Sequence, residues 1–220
     1  MKQKSTVLIA LFLFFFFICN AFAQDLNNNL NILFSKIENV YKSINILKVE
    51  YTENIIFEST NEKQKVSGTL FFYKPNNVYI SQKTPKEQKI YIDDKEVTIY
   101  NLENSQVIID SWQNVFDGDF SVATIINFGN NLNKMKKTNS ISVSGENEKY
   151  IILKVVPIKR RDLVLEIYIS KTSMYPCKSI LQSVGTKVET IFESYVVNPI
   201  LDKKNFKLNV SNDVEVIRLN

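Results

Sequence analysis

The clearest hydrophobic pattern in the chain lies in residues 66–109, where short apolar runs alternate with polar clusters. Each run is four to seven residues long and rich in Val, Ile, Phe, Tyr and Thr, and each ends at a cluster such as Lys-Pro-Asn-Asn or Asp-Asp-Lys. This pattern predicts five strands of a β-meander. Apolar residues spaced two apart are expected to share one face of the sheet. These pairs are Val78 and Ile80, Ile90 and Ile92, Val97 and Ile99, and Val107 and Ile109.

An amphipathic helix is predicted before this meander. Residues 25–44 place Leu26, Leu30, Leu33, Phe34, Ile37, Tyr41 and Ile44 at helical three-and-four spacing, with polar residues between them. The apolar stripe is expected to lie on a sheet. Residues 47–57 then alternate as a strand.

A second helix is predicted after the meander. Residues 120–128 place Phe120, Thr124, Ile125 and Phe128 on one helical side. Asp119 is the expected N-cap and Gly129 the expected stop. The following NNLNKMKKTNS is polar, with room for a further short helical piece. This insertion between two groups of strands is the candidate for a lid.

Five more strands are predicted in the second half, at residues 140–144, 150–156, 163–169, 177–184 and 188–196, and the C-terminus adds one or two short ones. About ten or eleven antiparallel strands in one sheet curl instead of staying flat. The predicted fold is therefore mainly β (α+β). It is an unclosed antiparallel β-barrel with helices covering a hydrophobic cavity.

The N-terminus has the features of a cleavable signal peptide. Lys2 and Lys4 precede an apolar run of twelve residues, and Ala21-Phe22-Ala23 is a small-x-small cleavage site. The alternative, a retained anchor helix, is disfavoured because a span needs about twenty apolar residues. Cys19 lacks the small neighbours of a lipoprotein signal. The expected organisation is a cleaved signal peptide at 1–23 and a single exported domain at 24–220.

Composition narrows the chemistry of the processed chain. Removal of Lys2 and Lys4 leaves 27 − 2 = 25 basic residues against 23 acidic ones, a balance that argues against nucleic-acid binding. The sequence contains no histidine, which excludes Ser-His and Cys-His nucleophile pairs and His metal sites. Cys177 is the only cysteine after residue 23, so no internal disulfide is expected.

Several motifs, taken in order, resemble the periplasmic lipoprotein carriers of the LolA type. They are Gly68-Thr69-Leu70-Phe71-Phe72-Tyr73-Lys74-Pro75-Asn76, Pro85 to Ile92, Asp93-Asp94-Lys95, Tyr100-Asn101-Leu102, and Leu201-Asp202-Lys203-Lys204-Asn205-Phe206-Lys207-Leu208. The resemblance implies an unclosed barrel that carries lipoproteins by their acyl chains from the inner to the outer membrane. It implies as partners acylated lipoproteins, an inner-membrane lipoprotein-releasing transporter and an outer-membrane acceptor, and it implies a monomer without a cofactor or metal.

The chain departs from the family pattern at two positions. In the family pattern an arginine precedes the proline, and this arginine holds the lid shut. Lys74 occupies the corresponding position in this chain. Lysine lacks the planar fork of arginine. Lys74 is thus the candidate lid latch, and the alternative is a solvated charge at a strand end. Val78 replaces an aromatic residue of the family pattern.

The candidate residues for the acyl-chain cavity are the apolar ones of the meander and of the second helix. They are Val78, Ile80, Ile90, Ile92, Val97, Ile99, Phe120, Ile125 and Phe128. The alternative for each is ordinary core packing, because both faces of several strands are apolar.

Other reactive groups are interpreted as structural. Asp93, Asp94, Asp110, Asp117 and Asp119 resemble paired carboxylates of glycoside hydrolases, but each lies at a predicted turn, where Asp is common. Cys177 is expected to be a buried, unreactive thiol. Lys159-Arg160-Arg161 is the expected tip of a hairpin.

The function expected from the sequence is non-enzymatic. The chain is interpreted as a periplasmic chaperone that shields the acyl chains of lipoproteins. One alternative is a lipid or lipoprotein sensor that uses the same cavity to regulate a membrane partner. Another is a surface β-protein with a filled core.

Overall fold

A computed structural model describes residues 29–93, 95–111, 120–201 and 214–219. The predicted signal peptide, Cys19, Leu26, Asp94, Asp117, Asp119 and the motif residues from Asp202 to Leu208 lie outside this part of the chain. Among the described helices, none is long and apolar enough to cross a membrane.

One 12-stranded sheet organises the described residues. Its first half consists of β1 (Ile46–Phe57), β2 (Glu62–Tyr73), β3 (Asn77–Thr84), β4 (Gln88–Ile92), β5 (Glu96–Asn101) and β6 (Gln106–Ser111). Its second half consists of β7 (Asn139–Glu146), β8 (Tyr150–Pro157), β9 (Val164–Ser170), β10 (Pro176–Ser183) and β11 (Thr186–Val197). The last strand in the chain, β12 (Glu215–Arg218), lies beside β6 at the edge of the first half. The predicted strands of both halves are confirmed, with ends that shift by a few residues.

The two halves of the sheet meet at β1 and β11. The strand order is β12-β6-β5-β4-β3-β2-β1-β11-β10-β9-β8-β7, and within the described residues β12 and β7 remain unpaired edges. The sheet is therefore not closed, as predicted. The sheet is mainly antiparallel, as predicted, and the exception is at one edge, where β12 runs parallel to β6. The chain reaches β12 from β11, at the middle of the sheet, and such a long return allows parallel pairing.

Register places most of the predicted apolar pairs on one face. Val78 is paired with Ile92, which is paired with Val97, and Ile80 is paired with Ile90, which is paired with Ile99. Residues directly opposite in a ladder share a face. We call this the inner face, because the helices cover it.

The pair Val107 and Ile109 is an exception to the prediction. Ile99 is paired with Ile108, and Val97 with Asp110, so Val107 and Ile109 point to the outer face. The run Val-Ile-Ile in β6 is apolar on both faces, so its sequence does not select one. Asp110 lies within β6 and not at a turn, contrary to the prediction.

Three helices are described. The first, α1, comprises residues 29–42, and α2 (Val122–Ile126) and α3 (Phe128–Thr138) precede β7. The apolar stripe of the first helix is buried as predicted, at Leu33, Phe34, Ile37 and Tyr41, with Ile44 just after the helix end.

The predicted helix stop at Gly129 is wrong, whereas the further helical piece after it is present as part of α3. The structure has two helices that meet at Asn127, and Gly129 lies inside α3. Its ideal Cβ would lie 2.3 Å from Cδ2 of Tyr41, so glycine is needed for close packing and not for a helix end. The N-cap of α2 is Ser121, whose Oγ accepts a hydrogen bond from the Thr124 amide at 3.3 Å.

Candidate functional site

The structure brings all nine predicted cavity residues to one apolar cluster between the inner face and the helices. Val78, Ile80, Ile92 and Val97 are buried in the sheet, while Ile90 and Ile99 are half-buried against the same cluster. Phe120, Ile125 and Phe128 are buried from the helical side. Sheet and helices therefore share one apolar interior.

The helix α2 connects the two halves of the sheet. It contacts β2 on one side and β10 on the other, and β1 and β11 lie between these two strands. Its residues Val122, Ala123, Ile125 and Ile126 are all buried. The five residues of α2 thus lie over the centre of the inner face.

The helix α3 packs against α1 around one tyrosine. The ring of Tyr41 meets Phe128 edge-on, with 6.2 Å between ring centroids, and lies over Gly129. Near the other end of the contact, Lys136 Nζ lies 4.4 Å from the Phe34 ring centroid. The Tyr41 hydroxyl is buried without a hydrogen-bond partner among the described residues, and this burial raises the pKa of Tyr41. The two helices form a continuous cover.

Lys74 fastens the C-terminal end of α1 to the sheet. Its Nζ donates hydrogen bonds to the carbonyl oxygens of Tyr41 and Lys42, each at 3.0 Å. Its backbone N–H donates to the carbonyl of Asn45 at 3.0 Å. A cation is favourable at a helix C-terminus, where the last carbonyls lack helical partners. In the part of the chain that the structure describes, these bonds go to α1 and the turn after it, and none goes to α2 or α3.

A second fastening residue, Asn198, was missed by the sequence analysis. Its Oδ1 accepts hydrogen bonds from the backbone N–H groups of Asn45 and Ile46, at 2.7 and 3.0 Å. Its Nδ2 donates to the Ser43 carbonyl at 3.1 Å. Asn198 has a positive φ of 49°, a conformation that Asn adopts more readily than most residues. An Asn-Pro pair directly after a strand was the available signal.

A row of polar side chains on the inner face was also missed. Glu53 in β1 is paired with Thr190 in β11, which is paired with Ser179 in β10. Thr190 Oγ1 donates a hydrogen bond to Glu53 Oε1 at 3.1 Å. Desolvation raises the pKa of Glu53, and the bond from Thr190 opposes this. The strand alternation that places Val49 and Tyr51 inside was the available signal, since it places Glu53 there too.

The contacts of Asp93 and Cys177 are those of residues with a structural role. Asp93 Oδ1 accepts hydrogen bonds from the Lys95 and Glu96 amides, both at 2.8 Å, which is a turn-forming role. The Cys177 thiol is half-buried and donates to the Tyr168 carbonyl at 3.2 Å, and burial raises the pKa of that thiol.

The predicted basic hairpin tip lies at the surface, and the acidic residues of the described part of the chain do not cluster as metal ligands. Residues 158–162 are exposed, and Arg160 pairs with Asp162 at 3.5 Å. The described residues contain no group of three or more His, Cys, Asp or Glu that could hold a metal ion.

Comparisons with known proteins give the family. The family model of the outer membrane lipoprotein carrier protein LolA matches residues 42–209. An outer-membrane lipoprotein carrier protein from Idiomarina loihiensis is 23% identical over 180 residues, which cover 82% of this chain and 84% of that protein.

A solved structure with the same fold and a more distant one can be compared with this chain. An uncharacterized conserved protein from Thermus thermophilus aligns with a TM-score of 0.56 at 12% identity, covering 84% of this chain and 98% of the other. A LolA superfamily protein from Nitrosomonas europaea aligns with a TM-score of 0.46 at 11% identity, covering 81% and 97% of the two chains. Since the family model spans well over half of the sequence, the chain belongs to the LolA family of outer membrane lipoprotein carrier proteins.

Proposed function

We propose that this protein is a periplasmic carrier that binds the acyl chains of lipoproteins between the inner face of its sheet and its helices. The observation that carries the proposal is the helical cover, which lies across the apolar face of an unclosed sheet. A sheet with unpaired edges can spread when its cover moves, whereas a closed barrel cannot. Membership of a carrier family supports the same function.

Binding of an acyl chain requires the cover to move. Ile126 and Phe128 are 0% and 1% exposed, so they occupy the space that a guest would need. An acyl chain gains about 0.8 kcal/mol for each methylene moved out of water. Each methylene of a displaced helical side chain that becomes exposed to water costs a comparable free energy. The two terms oppose each other, which keeps the net affinity low enough for the cargo to be released.

We infer that Lys74 is the latch of this cover, acting on α1. Two hydrogen bonds to the last carbonyls of α1 hold that helix over the sheet, and the Tyr41 ring connects it to α3. Release of α1 therefore frees α3 as well. A lysine can make both bonds here without the planar fork of arginine, because the two carbonyls are adjacent in sequence.

The proposed route runs from the inner to the outer membrane. The signal peptide directs export of the protein to the periplasm. There the monomeric protein takes lipoproteins from an inner-membrane releasing transporter and delivers them to an outer-membrane acceptor. The name of the Idiomarina relative, an outer-membrane lipoprotein carrier protein, supports lipoproteins as the cargo and the outer membrane as the destination.

Native mass spectrometry of the protein purified from cell envelopes tests the proposal. We expect a fraction of the protein to carry one acylated lipoprotein, and detergent-free purification keeps that complex intact. Free lipid in place of lipoprotein would overturn the carrier function in favour of the sensor. A protein with no bound acyl chain, also after incubation with a synthetic lipopeptide, would indicate a filled core.

A further inference from the structure

In the polar row of Glu53, Thr190 and Ser179, the side chains of Glu53 and Ser179 can form further hydrogen bonds. The Ser179 hydroxyl is buried at 1% exposure and has no hydrogen-bond partner within the described residues. Glu53 accepts a hydrogen bond from Thr190 but forms no ion pair with a lysine or arginine of the described part of the chain. Buried polar groups are normally satisfied, so this row is a candidate binding site for a polar group.

The position of the row along β1 indicates how a ligand would lie. On the inner face of β1, Leu47, Val49 and Tyr51 are buried, whereas Ile55 and Phe57 beyond Glu53 are half-buried. Glu53 thus lies where the buried apolar interior gives way to the more open end of the strand. An amphipathic ligand would place its head at this boundary and its chains towards Leu47.

The hydrogen-bonding groups of the row favour a particular polar head group in the ligand. A carboxylate takes a hydrogen-bond donor, and the free hydroxyl of Ser179 can donate to a carbonyl oxygen. A head that offers an N–H and a carbonyl close to acyl chains satisfies both groups. The acylated N-terminal cysteine of a lipoprotein has this chemistry, either as a free ammonium or as an N-acyl amide.

We propose that Glu53 and Ser179, aligned by Thr190, form a subsite that binds the nitrogen and the carbonyl of the acylated N-terminal residue of the cargo. The subsite rests on the proposed carrier function and adds a polar anchor to it. The N–H donates to Glu53, the carbonyl accepts from Ser179, and the chains lie along the inner face of β1.

Three synthetic diacylglyceryl-cysteine peptides test the subsite. One carries a free amine, one an N-palmitoyl amide, and one an N-methyl-N-palmitoyl amide that has no N–H. Affinity is measured by titration into wild type, Glu53→Leu, Glu53→Gln and Ser179→Ala. Glu50→Gln is the matched control, because Glu50 lies on the outer face of the same strand.

The subsite predicts a distinctive set of affinities. Glu53→Leu weakens binding of the two N–H probes by about tenfold, the size expected for a hydrogen bond to a charged group, and leaves the N-methyl probe unchanged. A loss in Glu53→Gln that is confined to the free amine identifies an ammonium, while a loss that appears only in Glu53→Leu identifies an amide. Glu50→Gln changes none of the affinities.

Ser179→Ala gives a second readout that a purely structural role would not produce. It removes an unsatisfied buried hydroxyl, so the free protein becomes more heat-stable, while its affinity for the N-palmitoyl probe falls by about threefold. If Glu53→Leu does not fold, Ser179→Ala alone decides. Unchanged affinities, or an equal loss for the N-methyl probe, overturn the subsite. If wild type binds none of the three peptides, it is the carrier function that fails.

Discussion

Replacing Lys74 by methionine tests the attachment of α1. The methionine side chain keeps most of the apolar stem and removes the ammonium that donates to the Tyr41 and Lys42 carbonyls at 3.0 Å. Hydrogen bonds to charged groups contribute about 1.5–3 kcal/mol when buried. Lys74 is only half-buried, so the loss is expected near the lower end, at about 1.5 kcal/mol. That corresponds to about a tenfold increase in the open population of α1.

Hydrogen exchange followed by mass spectrometry measures this opening. In Lys74→Met, the amides of residues 37–42 are expected to exchange about ten times faster, while those of β8 keep their wild-type rates. Lys74→Arg is expected to retain slow exchange, because it also donates to adjacent carbonyls. Lys178→Met is the matched control, since Lys178 pairs with Glu189 at 3.0 Å on the outer face. Unchanged exchange of α1 in Lys74→Met would refute the latch.

Three further predictions concern the cover and the polar row. Gly129→Ala places a Cβ within 2.7 Å of three ring atoms of Tyr41, so calorimetry is expected to show a loss of about 1–3 kcal/mol, and a loss below about 0.5 kcal/mol contradicts the packing. A photoreactive group at Ile125 is expected to form adducts with an acylated peptide, and adducts found only elsewhere would place α2 away from the cargo. The raised pKa of Glu53 means that the folded protein binds its proton more tightly than the unfolded chain. Wild type is therefore expected to lose stability relative to Glu53→Gln as the pH rises above about 4, and parallel stability curves would contradict this. Gly145→Ala is the matched control for Gly129→Ala, a photoreactive group at Lys134 is the control for the one at Ile125, and Glu50→Gln is the control for Glu53→Gln.

Strand positions were predictable from the sequence because each strand has its own local signal. Runs of β-branched and aromatic residues ended by Pro, Asn, Asp or Gly locate β2 to β5 without reference to the rest of the chain. The face of a strand is predictable only where one face is polar. In β6 both faces are apolar, so the orientation of Val107 depends on its pairing with Tyr100, which the sequence does not reveal.

Helix ends and long-range contacts were less accessible. Gly129 carries the usual signal of a helix stop, but its role depends on Tyr41, which lies far earlier in the sequence. The bonds of Asn198 to residues 43–46 likewise join distant parts of the chain. The polar row is a property of three strands in register, and Ser179 and Thr190 have no distinguishing pattern in their own segments.

A spin-labelled cargo tests the central claim, which is that acyl chains lie against the inner face beneath the helices. A lipopeptide with a nitroxide in the middle of one acyl chain is added to protein with labelled isoleucine methyl groups. We expect the methyl signal of Ile99, on the inner face, to broaden more strongly than that of Ile109, on the outer face of the neighbouring strand. Broadening of Ile109 with a sharp signal for Ile99, or no broadening of either with the lipopeptide bound, would contradict the account.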